Sequence, residues 1–280
     1  MSEGRKKRQR TFLGDADEDI LCALALYQSL TTAQLLRALG RTGRPDLSTR
    51  LTDLERLGYL LSEPFRLTFG SPNVYVLTAR GKKYLAQLDI DARVIQAATL
   101  RDMLDSSSMP HTLAVNDALI AVTQLPRIDP TFAVHTLLHD YHFKQQPLVV
   151  DGKKVIPDGW VELHKTAPDG SYRFVFALEV QHRGHMTTEV IRAKVRNYMA
   201  LVSKGVHQAY FADPKLPLVV LFLMSRGDEH VRFVKQAIEQ ELQQKQRWAA
   251  MFYVAPFTRE IVEQTSVYQA PVWERPFTTG

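Results

Sequence analysis

Apolar residues recur at three- and four-residue steps through Ile20, Leu21, Leu24 and Tyr27, which predicts a first helix from residue 17 to about 29. Thr31 or Thr32 can cap a short second helix over 33–39, and 40–45 reads as a turn that leaves Arg41 and Arg44 in solvent. A third helix over 46–57 places Leu47, Leu51 and Leu54 on one side and Thr49, Thr52, Asp53 and Arg56 on the other, with Gly58 ending it. Residues 59–62 and 74–78 read as two strands joined by EPFRLTFGSPN, and 79–88 returns to helix. A helical stretch at 92–104 and the punctuating DSSSMP separate this half from the next. There, a helix over 111–124 leads into alternating or apolar runs at 131–138, 147–150, 154–163 and 172–180. A helix over 188–202, a fully apolar run at 216–224, a helix over 229–245 and a last strand at 251–254 follow. Strands followed by alternating helix and strand predict an α/β protein, α+β overall, whose second half is a mixed sheet with helices on both faces.

Composition narrows the class. At 280 residues, 45% hydrophobic and 23% charged, the chain is long enough for two domains with real cores. No apolar stretch of membrane-spanning length exists and the first ten residues lack the apolar segment of a signal peptide, so a cytoplasmic protein is expected. The single cysteine, Cys22, excludes a disulfide framework or a cysteine-rich zinc fold and reads as a buried helix thiol. The net charge of +5 is concentrated: Arg5, Lys6, Lys7, Arg8 and Arg10 face one acid, Glu3, which leaves the rest of the chain at +1. A basic arm over 1–14 suits sequence-independent contacts to phosphates, the competing reading being a solubilising tail. The expected divisions are this arm, a domain over 15–90, a helical linker over 91–110, a domain over 111–255, and an extension over 256–280 rich in proline and aromatic residues.

The order helix, helix, helix, strand, loop, strand, helix, with LTDLERLGYL before the hairpin and NVYVLTARGKKYL after it, resembles bacterial winged-helix DNA-binding domains. That resemblance makes the third helix the recognition helix, offering Ser48, Thr49, Arg50, Thr52 and Arg56 to a major groove of double-stranded DNA. Arg44 lies at its edge and Arg66 in the wing. A winged helix used for protein contacts is the alternative, because residues 11–89 carry as many acids as bases.

Chemistry is concentrated in IPDGWVEL and YRFVFALEVQHRG. Asp158 precedes one strand and Glu179 ends the next. Read as a hairpin, the two strands bring both carboxylates to one end of a sheet, an arrangement that holds a hard divalent cation such as Mg²⁺, with Mn²⁺ as a substitute. The other reading is a Pro-Asp turn beside a solvated glutamate. Pro-Asp followed by Glu-x-Gln after a strand resembles the PD-(D/E)xK nuclease superfamily, a restriction-endonuclease-like fold. By that resemblance Asp158 and Glu179 bind metal together with the backbone carbonyl of Val180. Gln181 stands where that family places lysine, and Lys194, four residues before Tyr198 on the next helix, is the candidate replacement. Asp117 is a candidate additional acid. His135, His139 and His142 would align as metal ligands on a helix, but their segment reads better as a strand, which scatters them.

Taken together, H-x-L-x-V-N-D, P-D-G, E-V-Q-x-R-G and K-x-x-x-Y behind a winged helix resemble the replication-relaxation family of bacterial plasmids and mobile elements. The resemblance implies a DNA-binding protein acting in replication or relaxation, with replication or mobile-element proteins and a second copy of the chain as candidate partners. A Mg²⁺-dependent nicking endonuclease and a winged-helix transcriptional repressor are the alternatives.

Overall fold

A computed structural model describes residues 13–41, 43–64, 72–88, 90, 109–181, 186–210, 216–225, 227–258, 268 and 273–278. The expected arm over 1–14 except its last two residues, Arg66 and most of the 91–110 linker lie outside these residues. The chain divides into two units, Met1–Ile95 and Gln96–Gly280.

In the first unit the order is α1 (Asp15–Tyr27), β1 (Ser29–Thr31), α2 (Thr32–Leu39), α3 (Arg44–Arg56), β2 (Leu60–Pro64), β3 (Asn73–Leu77) and α4 (Ala79–Ala86). Thr31 caps α2, its hydroxyl accepting the Gln34 N–H at 3.2 Å while the Gln34 side chain accepts the Thr31 N–H at 3.1 Å. Gly40, in the left-handed region at φ 61°, ends α2. Helix α3 starts two residues earlier than the sequence pattern predicts, because Pro45 fits a first turn whose N–H groups need no partner. The pattern also misses β1, three residues that pair antiparallel with β3 and complete a sheet of order β1-β3-β2. Leu47, Leu51 and Leu54 of α3 join Ile20, Leu21, Leu24, Leu30 and Leu35 in the core. Cys22 is half-buried rather than buried.

The two motifs that flank the hairpin fit together physically. The Thr78 hydroxyl accepts the Gly81 N–H at 3.1 Å, capping α4, and lies 2.7 Å and 3.1 Å from the carbonyl oxygens of Gly58 and Tyr59. Gly81 lies so close under the backbone that an added Cβ would collide with the Tyr59 carbonyl. The glycine and tyrosine of L-x-x-L-x-x-x-G-Y-L thus meet the threonine and glycine of Y-x-L-T-x-x-G.

The second unit begins with α5 (Met109–Ile128), followed by β4 (Phe132–His139), α6 (Asp140–Gln145), β5 (Leu148–Val150), β6 (Lys153–Val155), β7 (Gly159–Ala167) and β8 (Gly170–Gln181). Then come α7 (Thr188–Ser203), β9 (Leu218–Met224), α8 (Asp228–Leu242) and β10 (Phe252–Pro256). The run expected at 154–163 is two strands, split at Ile156-Pro157-Asp158; the first pairs with β5 in a separate two-stranded ribbon. Helix α5 continues past Pro126 to Ile128.

The five-stranded sheet has the order β10-β9-β8-β7-β4, antiparallel from β4 to β8 and parallel from β8 to β10. This is the mixed α/β class read from the sequence, with N-terminal helices ahead of a mixed sheet. Two successive crossovers of the same hand, β8-α7-β9 and β9-α8-β10, put α7 and α8 on one face. Val175, Ala177, Val220, Phe222, Phe252 and Val254 meet Ile191, Val195, Tyr198, Val234 and Ile238 there in one core. Helix α5 covers the other face, where an added Cβ at Gly159 would come 2.9 Å from Leu119 Cδ2 and require it to shift. The described part of the C-terminal extension closes the β10 edge through the reciprocal backbone bonds of Val254 and Glu274, at 3.0 and 2.8 Å.

Gly81→Ala forces a Cβ into the Tyr59 carbonyl, so it should destabilise the first unit by about 1–3 kcal/mol, the usual cost of overpacking. Denaturant unfolding of the full chain, compared with Gly43→Ala, whose Cβ meets nothing, checks this.

Candidate functional site

The register of β7 and β8 ends at the pairing of Gly159 with Leu178, which leaves Asp158, one step before β7, beside Glu179 at the end of the hairpin. Glu179 has the parity of Val175 and Ala177, which face α7. The Asp158 backbone is fixed by bonds from its N–H to the Leu178 carbonyl (3.0 Å) and from the Asp140 N–H to its own carbonyl (3.1 Å). Its carboxylate accepts the Val180 N–H at 2.7 Å through Oδ2 and contacts His111 Nε2 at 3.1 Å through Oδ1. Glu179 is 2% exposed. The Tyr198 hydroxyl donates to its Oε1 at 2.6 Å and the Lys194 ammonium binds its Oε2. Lys194 and Tyr198, one turn apart on α7, therefore hold the two oxygens of one carboxylate.

Gln181 follows Glu179 by two positions and so lies on the same face; it is buried at the end of β8, where its carbonyl accepts the Ser225 N–H. The structure thus brings Asp158, Glu179, Val180, Gln181 and Lys194 to one end of the sheet. His111 also reaches it, and the sequence offered only its place in H-x-L-x-V-N-D as a signal. On α5 it is His111 that bonds Asp158, while Asp117 stands about 9 Å of helix rise further along.

Burial, the largest influence, raises the Glu179 carboxyl; Lys194 opposes it and Asp158 adds to the rise. Burial lowers Lys194, but the charges of Glu179 and Asp158 outweigh it and the ammonium is held above its usual range. His111 is likewise raised, because the bond and charge of Asp158, with Asp140 beyond, exceed the effect of burial.

A second polar network lies beside this end. His139, the last residue of β4, contacts Asn116 Oδ1 at 2.9 Å through Nε2 and Asp140 Oδ1 at 2.5 Å through Nδ1, and Lys144 pairs with Asp140. Burial raises Asp140, but His139 and Lys144 pull it well below the ordinary carboxylate range. His135 also lies on β4 and His142 on α6, and among the described residues no three His, Cys, Asp or Glu side chains converge as a metal cluster. Arg192 and Arg196 of α7 both bond Glu241 of α8, at 3.1 and 2.7 Å.

On α3 of the first unit the candidate side chains fall into two groups. Ser48, Thr49, Thr52 and Arg56 are exposed. The hydroxyls of Thr49 and Thr52 bond back to the Pro45 and Ser48 carbonyls, and Arg56 pairs with Asp53 at 3.1 Å. Arg50 is pinned instead: its guanidinium bonds Asp46 and the buried Asp17 of α1, each at 3.0 Å, and is 19% exposed. Asp17 also accepts the Gly14 N–H at the start of α1. Arg44 opens α3.

The fold defines a mixed α/β protein in which a small helical unit with a three-stranded sheet precedes a five-stranded mixed sheet carrying a paired-carboxylate end. Residues 21–213 match the family described as Replication-relaxation, and the chain belongs to that family. Membership suggests a role in the replication or relaxation of a plasmid or mobile element, with DNA-related or replication-related interactions. No curated protein and no solved structure matches the chain. Among the described residues, no helix is long and apolar enough to cross a membrane.

Because Arg50 partners a buried carboxylate, Arg50→Ala should cost about 1–3 kcal/mol of stability, whereas Arg56→Ala, breaking an exposed pair, should cost less than about 0.5 kcal/mol. Denaturant midpoints read the difference. Asp140 has a folded pKa below its reference of 3.8 and so contributes stability above that pH that is lost as pH falls through the folded value. Asp140→Asn should therefore be less stable than the wild type at neutral pH, with the gap closing in acid, as melting temperatures measured between about pH 7 and pH 2 will show.

Proposed function

We propose that this protein binds double-stranded DNA through its first unit, acting as a winged helix, in the replication or relaxation of a plasmid or mobile element, and that its second unit is a PD-(D/E)xK nuclease-like domain. The observation that carries this reading is the outward face of α3. Ser48, Thr49, Thr52 and Arg56 are exposed on a helix whose other side is sealed by leucines, within a helix-strand-helix-helix-strand-strand-helix order. Such a helix suits a major groove, where hydroxyls bond several base edges and arginine bonds guanine. In this reading Arg50 holds the helix in place through Asp17, Arg66 belongs to the wing, Arg44 stands at the first turn of the helix, and the basic arm adds phosphate contacts.

Binding to a site selected from random duplexes tests it. Arg56→Ala should reduce preference for that site by about 1–3 kcal/mol if its contact is bidentate to guanine. Deleting residues 1–10 should weaken binding to all duplexes alike and flatten the salt dependence. Equal losses on selected and random DNA for Arg56→Ala and Thr52→Ala would sink sequence reading by α3.

A second reading, metal-dependent nicking, is favoured by the neighbouring Asp158 and Glu179 with Lys194 and Gln181 beside them. The donor chemistry suits Mg²⁺ or Mn²⁺: two carboxylates and the Val180 backbone carbonyl are hard oxygen ligands. A cation held there would supply Lewis-acid charge for a phosphodiester. Asp158 is oriented for this by Val180 N–H and His111, Glu179 by Tyr198, and Lys194 or Gln181 would orient the attacking water. Supercoiled plasmid incubated with Mn²⁺ should be nicked by the wild type and left intact by Asp158→Ala and Glu179→Ala. Nicking by both variants at the wild-type rate would assign the activity elsewhere, and no nicking by any of them would leave the domain a scaffold.

A further inference from the structure

We infer that Lys194 is a built-in counter-cation at the Asp158–Glu179 end of the sheet, so that a divalent cation binds there only by displacing its ammonium. The inference rests on the metal-site reading above and specifies how that site is regulated. All four carboxylate oxygens are already engaged: Asp158 Oδ1 by His111, Oδ2 by Val180 N–H, Glu179 Oε1 by Tyr198 and Oε2 by Lys194. A glutamate only 2% exposed needs an adjacent positive charge to stay ionised, and Lys194 provides it.

Of the four partners, Lys194 is the one built to leave. Val180 N–H is backbone within β8, and Tyr198 is fully buried in the α7 core. His111 sits on α5 and holds Asp158 rather than Glu179. Lys194 has a side chain one-third exposed on a flexible four-carbon stem, which gives its ammonium a path to water that Tyr198, the other partner of Glu179, lacks. Its departure leaves two carboxylates whose charges act on one another at this end of the sheet, and a divalent cation relieves that repulsion. The released ammonium remains tethered one turn from Tyr198, at the margin of the site.

Electron paramagnetic resonance titration of the full chain with Mn²⁺, paired with thermal melts, tests the exchange. Lys194→Met should bind Mn²⁺ about tenfold more tightly than wild type, since one unit charge no longer competes, and its melting temperature should rise more on adding Mn²⁺. Lys194→Arg, which keeps the charge, should behave like wild type, and Lys194→Met/Glu179→Gln should lose the gain. If Lys194→Met folds only with Mn²⁺ present, the metal has taken the ammonium's place and the inference holds. If Lys194→Met and Lys194→Gln both stay unfolded with saturating Mn²⁺, it fails. Equal Mn²⁺ affinity in wild type and Lys194→Met, abolished by Glu179→Gln, would overturn the displacement and leave the metal site standing. Absence of Glu179-dependent Mn²⁺ binding in every variant would overturn both.

Discussion

The pairing of Gly159 with Leu178 across β7 and β8 is the constraint from which the candidate site follows. Slipping it by one residue would turn Glu179 away from α7 and place an apolar residue against Lys194 and Tyr198. Two features hold the register. Leu119 of α5 packs over Gly159, where an added Cβ would come 2.9 Å from its Cδ2, so glycine suits the close approach of helix to strand. The Val180 N–H, bonded to the Asp158 carboxylate rather than to a strand partner, fastens the end of the hairpin. The close approach that favours glycine also brings His111, at the start of α5, to Asp158.

That end of the sheet gathers more charge than a fold core usually tolerates, and it does so without leaving a carboxylate unanswered. Glu179 faces an ammonium and a phenol, Asp158 an imidazole and a backbone N–H, and Asp140 a histidine and a lysine. Interactions of this kind strengthen in a low-dielectric interior and cost dearly when half-made. The network therefore ties α5, β4, β8, α7 and the entry to β7 together, and the same residues are the ones that could do chemistry.

Much of this was legible in the sequence because it is periodic or local. The leucines of α3, the Thr31 cap and the apolar run of β9 declare themselves at fixed spacing, and Pro-Asp before one strand with Glu at the end of the next suffices to place two carboxylates together. What was not legible depends on partners far apart in sequence. Arg50 looks like an outward-facing base until Asp17, 33 residues earlier, is seen to bind it. His139 looks like a metal ligand or a strand residue, and its partner Asn116 lies 23 residues away on another element. Strand β1 is three residues long and exists because β3 offers an edge, a tertiary cause that no local pattern carries.

The pinning of Arg50 has an evolutionary consequence. Along one helix, the positions that secure the unit and the positions that face outward are different residues: Leu47, Arg50, Leu51 and Leu54 hold, while Ser48, Thr49, Thr52 and Arg56 are free of the core. Exposed substitutions of that kind usually change stability by no more than about 0.5 kcal/mol. The outward face of α3 can therefore drift from one lineage to another while the scaffold beneath it stays constant, so related chains can differ in what this helix touches and still fold alike.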